Sequence, residues 1–514
     1  MVEDSRGKGD WYRGGAFLMA SLMIQFGPWR PDLPPSATLT TATNVLPLQG
    51  KWGPAPDLEM FSGTLGGTAL GALSVQDAAG SGYWFAGDAH NLYTINNATT
   101  TWSNVNHTTA SYCTSSAAWW SFAQYGDIVY ASNFADEIQE YSLGAAGVFA
   151  DLAGGPPKAR TIAAVKNFLV AANTYDATDG ARPQRVRWSG LNAPHTWTVD
   201  ANTQADFQDL LGDGGKNQAV VAGLTQADAI VLQERAVWRM TYVNLPLIWE
   251  FDPVEGARGT PAPRSAVVVG GTVFYLGTDG WFACDGAQSA AIGFGKVDKT
   301  FLSEVDETRL WQITGVADVQ RKLIYWAYAT TSAAAGLLDR ILVYSYASGE
   351  WARLEVETEL LWQTASFGYT LEELDAFGTV DSIVASFDSR QWTGGTRQLS
   401  AFDSTHTLAH FSGSPMAATL ESQELTLPDP GRMYVAESWP RIYNPTGGLT
   451  VALGVRNRTD ESVSWGSAVT VNGDGFCQHR QHGQFLRVRL ALPAAETWSL
   501  ASGVAIEMQK LGWR

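Results

Sequence analysis

Cysteine and histidine residues that could bind a metal lie together near the C-terminus. Cys477, His479 and His482 occur in the segment FCQHRQHG, and thiolate and imidazole groups are ligands that zinc prefers in proteins. Two arginines lie in or beside this segment, and no second group of Cys or His is spaced to complete a four-ligand site. We therefore expect no metal here.

Oxygen ligands occur in a second segment, NTYDATDG, which contains Asn173, Asp176 and Asp179. A calcium loop needs more acidic groups at tighter alternation, so this segment is typical of a solvated turn. The segment GDGGKN at 212–217 has the glycines and the lysine of a phosphate-binding loop. It lacks the spacing and the Ser or Thr that would hold magnesium, and we expect an ordinary loop.

Motifs of hydrolases and nucleotide-binding enzymes are missing from the sequence. It contains no GxSxG, no HExxH, no Walker loop and no GxGxxG followed by a helix. Glu372 and Glu373 could support glycosidic chemistry only if both faced a cleft, and a solvated helix face is the simpler interpretation. No nucleophile is paired with a base, so we predict that the protein is not an enzyme and needs no cofactor.

The elements that would carry these residues are short strands in repeated pairs. Between residues 64 and 405 an apolar run, a Gly or Asp-Gly break and a second run with an aromatic residue recur. The seven candidate units centre on 82–95, 127–143, 166–190, 229–243, 272–286, 322–354 and 383–404. Repeated hairpins of this kind are typical of propeller blades. We predict an all-β chain with an irregular β-propeller of six or seven blades.

Five runs within these units are almost continuously apolar: DIVYAS, NFLVAA, AIVLQE, TVFYLG and LIYWAY. A strand without polar alternation is buried on both faces, as happens between packed blades. We therefore expect these runs to be the inner strands of the blades.

Two further regions flank the predicted propeller. We divide the chain into an N-terminal extension and Pro-rich arm (1–60), the propeller (61–405) and a C-terminal domain (406–514). The last region contains alternating runs such as GQFLRVRLALP, which predict an antiparallel β-sandwich. Helix is scarce, and the best short candidates are 303–313 and 370–378.

The arm contains prolines at positions that oppose a regular helix or a central strand, so we expect an extended segment. It also carries four large apolar side chains: Phe26, Trp29, Leu46 and Trp52. These must lie on an apolar surface, either of their own domain or of a neighbouring subunit. They are our candidates for an inter-subunit arm.

Composition excludes some classes of function. The formal net charge is −17, which disfavours an open basic surface for nucleic acid. The three cysteines (Cys113, Cys284 and Cys477) are far apart. We expect buried or partly buried free thiols and a reducing site of synthesis.

Hydropathy predicts no membrane span, because no run reaches the roughly 18–20 apolar residues that a helix needs to cross a bilayer. The segment 16–26 resembles the core of a signal peptide, but its leader has mixed charge and no small-residue cleavage site follows. Met23 is a second candidate for the native start, which leaves the first 22 residues as an upstream extension.

Four segments share a pattern of turns and aromatic residues with one known family. They are QFGPWRPDLPP to GKWGPAP (25–56), RVRWSGLNAPHTW (185–197), the run from ADFQDL to IGFGKVDKTFL (205–302) and CQHRQHG to GWR (477–514). In their order and coverage they resemble the nozzle proteins of short-tailed bacteriophages, also called tail tubular protein B or packaged-DNA stabilisation proteins. The chain is shorter than the long members of that family, which puts large accessory domains in doubt.

The resemblance implies a structural virion protein of the phage tail, assembled in the cytoplasm of the bacterial host. Such subunits form a homohexameric ring below the portal and the head-to-tail adaptor protein, and tail fibre, tip or needle proteins attach to it. The ring retains packaged DNA, and genomic double-stranded DNA passes through its lumen at ejection without specific binding. The family supplies no catalytic residues to carry over.

Loops that narrow the bore would close such a channel. Our candidates are the glycine-rich loops that contain Asp213, Gly214, Gly215, Gly256 and Gly259. Acidic or neutral walls would repel DNA phosphates, and the net charge suits that role as well as it suits simple solubility.

Two alternative functions stay open at this stage. A glycan-binding or glycan-cleaving propeller could stack sugars on exposed tryptophans, for which Trp102, Trp119, Trp120 and Trp392 are candidates. A tail fibre or receptor-binding protein is the third interpretation, and threefold rather than sixfold stoichiometry would distinguish it.

Overall fold

Short β-strands joined by tight turns make up most of the chain. The structure, a computed structural model, describes residues 19–511 except 37, 98, 108–110, 115–117, 146, 226–227, 366–396 and 427–430. The first five strands are β1 (Met19–Gln25), β2 (Thr41–Thr43), β3 (Val45–Leu48), β4 (Lys51–Pro54) and β5 (Pro56–Thr64).

The next strands form four-stranded antiparallel units, which we call blades 1 to 7. Blade 1 contains β6 (Gly71–Gln76), β7 (Gly82–Gly87), β8 (Leu92–Asn96) and β9 (Thr101–Asn104). Blade 2 contains β10 (Ser121–Tyr125), β11 (Ile128–Ser132), β12 (Gln139–Ser142) and β13 (Ala150–Asp151). Blade 3 contains β14 (Lys158–Val165), β15 (Phe168–Asp176), β16 (Gly180–Trp188) and β17 (Asp206–Asp209).

Blades 4 to 6 repeat the pattern. Blade 4 contains β18 (Asn217–Ala222), β19 (Asp228–Gln233), β20 (Val237–Asn244) and β21 (Ile248–Glu255). Blade 5 contains β22 (Val267–Val269), β23 (Thr272–Leu276), β24 (Trp281–Cys284) and β25 (Ser289–Ala291). Blade 6 contains β26 (Thr314–Asp318), β27 (Leu323–Tyr328), β28 (Arg340–Ser345) and β29 (Trp351–Leu354).

Blade 7 closes the ring with strands from both ends of the propeller. Its first three strands are β30 (Leu360–Ala365), β31 (Arg397–Phe402) and β32 (Thr407–Pro415), and its outer strand is β5 from the N-terminal region. The innermost strands contact one another in the order β6, β10, β14, β18, β22, β26, β30 and back to β6. The described residues therefore form a seven-bladed β-propeller, which confirms the predicted fold class and settles its blade number.

The almost continuously apolar runs are buried as predicted, but they are the second strands of their blades. All six residues of β19 and of β27 are buried, and four of the five residues of β11 and of β23 are buried. A second strand has a paired strand on each side and a neighbouring blade on each face, so no position meets water. The innermost strands face the channel on one edge and carry more half-buried positions, as β6 and β10 show.

The C-terminal region forms two facing antiparallel sheets, as expected for a sandwich. Its strands are β33 (Ala418–Glu421), β34 (Leu425–Thr426), β35 (Arg432–Tyr443), β36 (Thr450–Arg456), β37 (Ser464–Trp465), β38 (Val469–Thr470), β39 (Cys477–Gly483), β40 (Phe485–Leu492) and β41 (Leu500–Leu511). One sheet has the order β3-β4-β41-β35-β39, with β1 also paired to β41. The other has the order β2-β33-β40-β36-β37 and continues without a break into blade 6.

The strand β2 joins the two domains. It pairs in parallel with β29 of blade 6 through Thr43 and Arg353, and antiparallel with β33 of the sandwich. The result is an 11-stranded sheet that spans both domains. Side chains from blades 5 and 6 and from the sandwich accordingly share one continuous apolar core.

The Pro-rich arm contains more strand than its composition predicted. Pro47 lies in β3, which is an edge strand, and an edge tolerates the missing N–H of proline. Pro54 ends β4 and Pro56 begins β5. The central position in this region is taken by β2, which has no proline. The prolines therefore mark edges and strand ends, as their chemistry requires.

The domain limits and the short helices differ slightly from the predictions. The propeller begins at Pro56 and extends to Pro415 because β5 and β32 pair with each other, so it is longer at both ends than the predicted range of 61–405. An α-helix covers Asp298–Glu304 and a 3-10 helix covers Glu307–Gln312, where one helix was expected at 303–313. A further 3-10 turn covers Pro263–Ser265. The predicted helix at 370–378 lies outside the described residues.

Candidate functional site

The central channel of the propeller is a partly open space between the innermost strands. It consists of two adjoining cavities of about 810 and 430 Å³. The larger one is lined by β6, β22, β26 and β30, and the smaller one by β10, β14 and β18. The two cavities share five lining residues: Leu73, Trp120, Gln124, Arg264 and Ala266.

Arg264 crosses the channel between these cavities. Its backbone lies in the turn that connects blade 4 to blade 5, and its Nη1 donates a hydrogen bond of 3.1 Å to the Leu70 carbonyl, just before blade 1. In a seven-membered ring, blade 1 lies opposite the junction of blades 4 and 5. The side chain therefore acts as a strut across one mouth of the channel.

The turn that carries Arg264 is held by its neighbour Ser265. The Ser265 hydroxyl donates to the Ala262 carbonyl at 2.7 Å and accepts the Leu276 N–H at 3.1 Å. The indole of Trp326 donates to the Ser265 carbonyl at 2.8 Å. Pro263 begins the turn, where a missing N–H costs nothing. These contacts fix the direction in which the arginine leaves the backbone.

The electrostatic environment of Arg264 is unusual for this acidic chain. Burial lowers the pKa of its guanidinium to about 10, so the group stays charged at neutral pH. Among the described residues no carboxylate forms an ion pair with it, and no Asp or Glu lines either cavity. Within the part of the chain that the structure describes, the cation therefore faces the channel without a counter-charge.

The opposite mouth of the larger cavity is polar. Gln124 donates through Nε2 to the Gln76 carbonyl at 2.6 Å, and Gln363 donates to the Ala317 carbonyl at 2.7 Å. The Oε1 of Gln363 accepts a hydrogen bond of 3.2 Å from Arg397, a second arginine on the cavity wall. Amide and guanidinium groups thus line this end.

The segment RVRWSG places an arginine inside blade 3. The Arg185 side chain is 4% exposed and binds Asp209 through Nε at 2.7 Å and Nη2 at 3.1 Å. It also pairs with Asp179, and its guanidinium lies 3.8 Å from the ring centroid of Phe207. The hydrogen bonds to Asp209 and then to Asp179 raise its pKa. This part of the segment therefore stabilises the blade.

The four arm side chains that we singled out are buried in the core of their own chain. The exposed fractions are 2% for Phe26, 4% for Trp29, 3% for Leu46 and 2% for Trp52. They belong to the continuous core shared by the sandwich and blades 5 and 6. The arm therefore lies on its own domain, the first of the two alternatives, and these four side chains offer no free apolar surface to a neighbouring subunit.

The two candidate channel loops meet around one turn of blade 4. A Cβ on Gly214 would lie 1.9 Å from Gln233 Oε1, and one on Gly259 would lie 2.0 Å from the Gln233 carbonyl. Gly215 packs in the same way against Glu234. The backbone carbonyl of Asp213 accepts from Arg235, and the space beside Gly256 is open. None of the five lines the propeller channel.

The Cys and His residues weighed as possible metal ligands near the C-terminus do not converge. Cys477 and His479 are buried on one face of β39, and His482 is exposed on the other, because side chains alternate along a strand. His479 Nε2 lies 2.8 Å from the Ser438 hydroxyl, and burial lowers its pKa to about 4. Within the described residues no three His, Cys, Asp or Glu side chains form a cluster suited to a metal.

The segment at 173–180 uses its polar groups in internal contacts. Asp176 pairs with Arg187 at 3.2 Å, Asp179 pairs with Arg185, and the Asn173 amide donates to the Asn217 carbonyl at 3.2 Å. These contacts agree with a turn rather than a calcium loop. Glu372 and Glu373 lie outside the described residues.

Three of the four tryptophans proposed as sugar-stacking residues lie within the described residues, and none of these three is exposed. Trp119 is 7% exposed and Trp120 is 3% exposed, while Trp102 is half-buried with its indole bonded to Ser62. Trp392 lies outside the described residues. The cysteine prediction is wrong for Cys113, which is exposed, whereas Cys284 and Cys477 are buried.

Arg264 and Arg397 were not singled out from the sequence. Arg264 lies in PAPRSAVVV, a lone cation between prolines and an apolar strand, and this pattern is the one signal that could have directed attention to it. Its position opposite blade 1 depends on ring closure. Since closure joins residues hundreds of positions apart, no local pattern indicates it.

Comparisons with known proteins leave the family open. No family model and no curated protein matches the chain. Among solved structures, the computationally designed Ika8 protein has a TM-score of 0.35 at 8% identity, covering 70% of this chain and 99% of its own. YCF48 bound to D1 peptide has a TM-score of 0.35 at 11% identity, covering 60% of this chain and 92% of its own. At these scores the likeness supports no inference, and the fold assignment depends on the strand pairing described above.

No helix within the described residues is long and apolar enough to cross a bilayer.

Proposed function

We propose that this chain is a structural subunit of the tail nozzle of a short-tailed bacteriophage. In this role it retains packaged DNA and forms part of the channel through which the DNA is ejected. The four ordered segments that resemble the nozzle family support the proposal, and so does a rigid all-β architecture. The observation that carries the proposal is that charged residues are unevenly distributed between blades 1 and 2 and the rest of the chain.

The charge asymmetry lies in the first part of the propeller. Residues 52–157 contain nine Asp and Glu and no Lys or Arg. They include all of blades 1 and 2, so these two neighbouring blades contribute only acidic side-chain charges and form an acidic sector. Lys158 of blade 3 reaches its edge and pairs with Glu137 at 3.6 Å. Residues 406–514 contain nine acidic and nine basic residues. The whole net charge of −17 therefore belongs to residues 1–405.

An acidic sector suits a surface that DNA must pass without binding. Carboxylates repel the phosphate backbone, and counter-ion release, which drives nonspecific DNA binding, needs Lys and Arg. We infer that blades 1 and 2 face the lumen of a homohexameric ring. The neutral sandwich is then available for contacts with other subunits, the adaptor above, or fibre and tip proteins.

Rigidity is the second property that a nozzle requires. The N-terminal strand β5 closes the propeller, and the 11-stranded sheet joins the propeller to the sandwich through β2. Relative motion of the two domains would break backbone hydrogen bonds in a continuous sheet. The subunit therefore transmits load as one body, as a part under internal DNA pressure must.

Imaging of purified virions and isolated tails by electron cryo-microscopy tests the assignment directly. We expect six copies in a ring below the portal and adaptor, with blades 1 and 2 lining the lumen. Isolation of the protein only as a free monomer, with none in tails, would reject the proposal.

The lumen orientation has its own test in a DNA-ejection assay. The triple variant Asp127→Asn, Glu137→Gln, Asp151→Asn removes three exposed negative charges from the acidic sector. Asparagine at 127 keeps an acceptor for the Ala78 N–H. Assembled virions of this variant should eject DNA more slowly, with the largest difference at low ionic strength, where charge screening is weakest.

The matched control removes three exposed charges from the sandwich: Asp460→Asn, Glu461→Gln, Asp474→Asn. Its ejection rate should equal that of the wild type. Equal slowing by both variants would show that net charge matters and that the orientation of blades 1 and 2 does not.

A further inference from the structure

The central channel combines a partly enclosed space with a cation that has no counter-ion among the described residues. Arg264 lies on the wall of both cavities and uses Nη1 to bind the Leu70 carbonyl. A guanidinium has five N–H donors in a planar fork, so several remain available. Charges held away from bulk water in proteins are normally paired. The half-buried Arg264 has no carboxylate partner among the described residues, so a ligand can supply the missing charge.

The channel walls add further donors and no competing acid. Each innermost strand pairs with its blade on one side only, which leaves backbone N–H groups on the edge that faces the channel. Thr314 accepts the Leu361 N–H at 3.2 Å, and its own hydroxyl hydrogen is free to donate. Arg397 adds a second positive charge at the far end. Of the described residues that line the two cavities, the charged ones are therefore all cationic.

We propose that the central channel of the propeller binds a small oxyanion, of the phosphate or carboxylate class, on the guanidinium of Arg264. Arginine binds both groups through paired N–H donors, which favours a planar or tetrahedral oxyanion over a halide. The larger cavity, of about 810 Å³, accommodates such an anion with several waters. A DNA duplex is too wide to enter it. This site is independent of the nozzle function.

Thermal unfolding in phosphate and in chloride at equal ionic strength tests the proposal. Inorganic phosphate at roughly 100 times its dissociation constant should raise the midpoint of the wild type by about 2 °C over chloride. Citrate in a parallel series distinguishes the carboxylate class from the phosphate class. Stabilisation by either anion supports the proposal if it depends on Arg264.

Two variants show where the anion binds. Arg264→Met should lose the anion-specific rise, whereas Arg458→Met should keep it, because Arg458 is an exposed arginine of the sandwich paired with Asp460. A short DNA duplex at the same phosphate concentration should produce no rise that depends on Arg264. Equal midpoints in phosphate, citrate and chloride, or a full rise in Arg264→Met, would overturn the proposal.

Removal of the strut could prevent folding of Arg264→Met, which circular dichroism and size-exclusion chromatography would reveal. Isothermal titration calorimetry of the wild type with phosphate and with citrate then decides. Saturable binding, weakened about tenfold in Arg264→Lys because lysine keeps the charge but loses the fork, supports the site. No saturable binding of either anion overturns it.

Discussion

Arg185 offers the sharpest test of how blade 3 is stabilised. Replacement by methionine keeps much of the apolar stem and removes a guanidinium that is 4% exposed and makes three contacts with two carboxylates. Breaking a buried pair costs about 3–5 kcal/mol. Asp209 and Asp179 keep 27% and 35% exposure and regain some solvation, so we expect a loss of about 2–4 kcal/mol in the free energy of unfolding.

Native-state hydrogen exchange measures this loss locally, in the amides of β16 and β17. The matched control is Arg182→Met on the same strand, where the side chain is exposed, and its effect should stay within about 0.5 kcal/mol. In a double-mutant cycle with Asp209→Asn, the combined loss should be smaller than the sum of the single losses. If Arg185→Met lowers the free energy of unfolding no more than Arg182→Met does, the ion pairs do not stabilise the blade.

Three more predictions concern acid, ring closure and a tight glycine. Burial lowers the pKa of His410 to about 4, so on acidification the unfolded state takes up a proton before the folded state does. The contribution of His410 to the free energy of unfolding is therefore fully present above the unfolded pKa of about 6.5 and should fall by about 2 kcal/mol at pH 5. Thermal unfolding at pH 7 and at pH 5 measures this loss. Phe61→Ala on β5 removes a ring 4.6 Å from the imidazole of His410 and 5.5 Å from Trp84, and should destabilise ring closure by about 2–3 kcal/mol in urea unfolding. Gly259→Ala would place a Cβ 2.0 Å from the Gln233 carbonyl and should lower the thermal midpoint by several degrees, as expected for about 2–4 kcal/mol of overpacking.

Two other buried groups contribute to the acid effect, and the other two predictions each have a control variant in the same chain. His479, with a pKa of about 4, should add to the loss at acid pH, while Asp298, with a pKa raised to about 6 by burial, should oppose part of it. The control for Phe61→Ala is Met60→Ala on the same strand, because the Met60 side chain is 61% exposed. The control for Gly259→Ala is Gly256→Ala, because a Cβ on Gly256 would lie in open space. A midpoint that rises at pH 5, or equal effects within the Phe61/Met60 or Gly259/Gly256 pairs, would contradict the corresponding prediction.

Local sequence predicted the blades because a strand buried on both faces must be apolar throughout. TVFYLG and LIYWAY became β23 and β27 for this reason, and GQFLRVRLALP alternated because β40 has one core face. The pairing of β5 with β32 and the insertion of β2 between β29 and β33 were not predicted. They join strands more than 300 residues apart, and the hydrophobic pattern of a strand does not specify its partner.

The same limit applies to the candidate site. The sequence shows Arg264 as one arginine after a proline, and its burial follows from the distant strands that surround it. The arm residues Phe26 and Trp52 were identified as apolar anchors, and their types require burial. The surface that buries them belongs partly to the sandwich, and the last strand of the sandwich lies about 450 residues further along the sequence.

The pairing of β5 with β32 and of β1 with β41 has a consequence for biosynthesis. Ribosomes add about 5–20 residues per second, so roughly 20–70 seconds separate the emergence of β5 from that of β32. Throughout that interval β1 and β5 have no sheet partner, and their exposed edges invite association between nascent chains. Folding is therefore completed only after translation ends, and the yield in a cell should depend on chaperones that shield the waiting N-terminal segment.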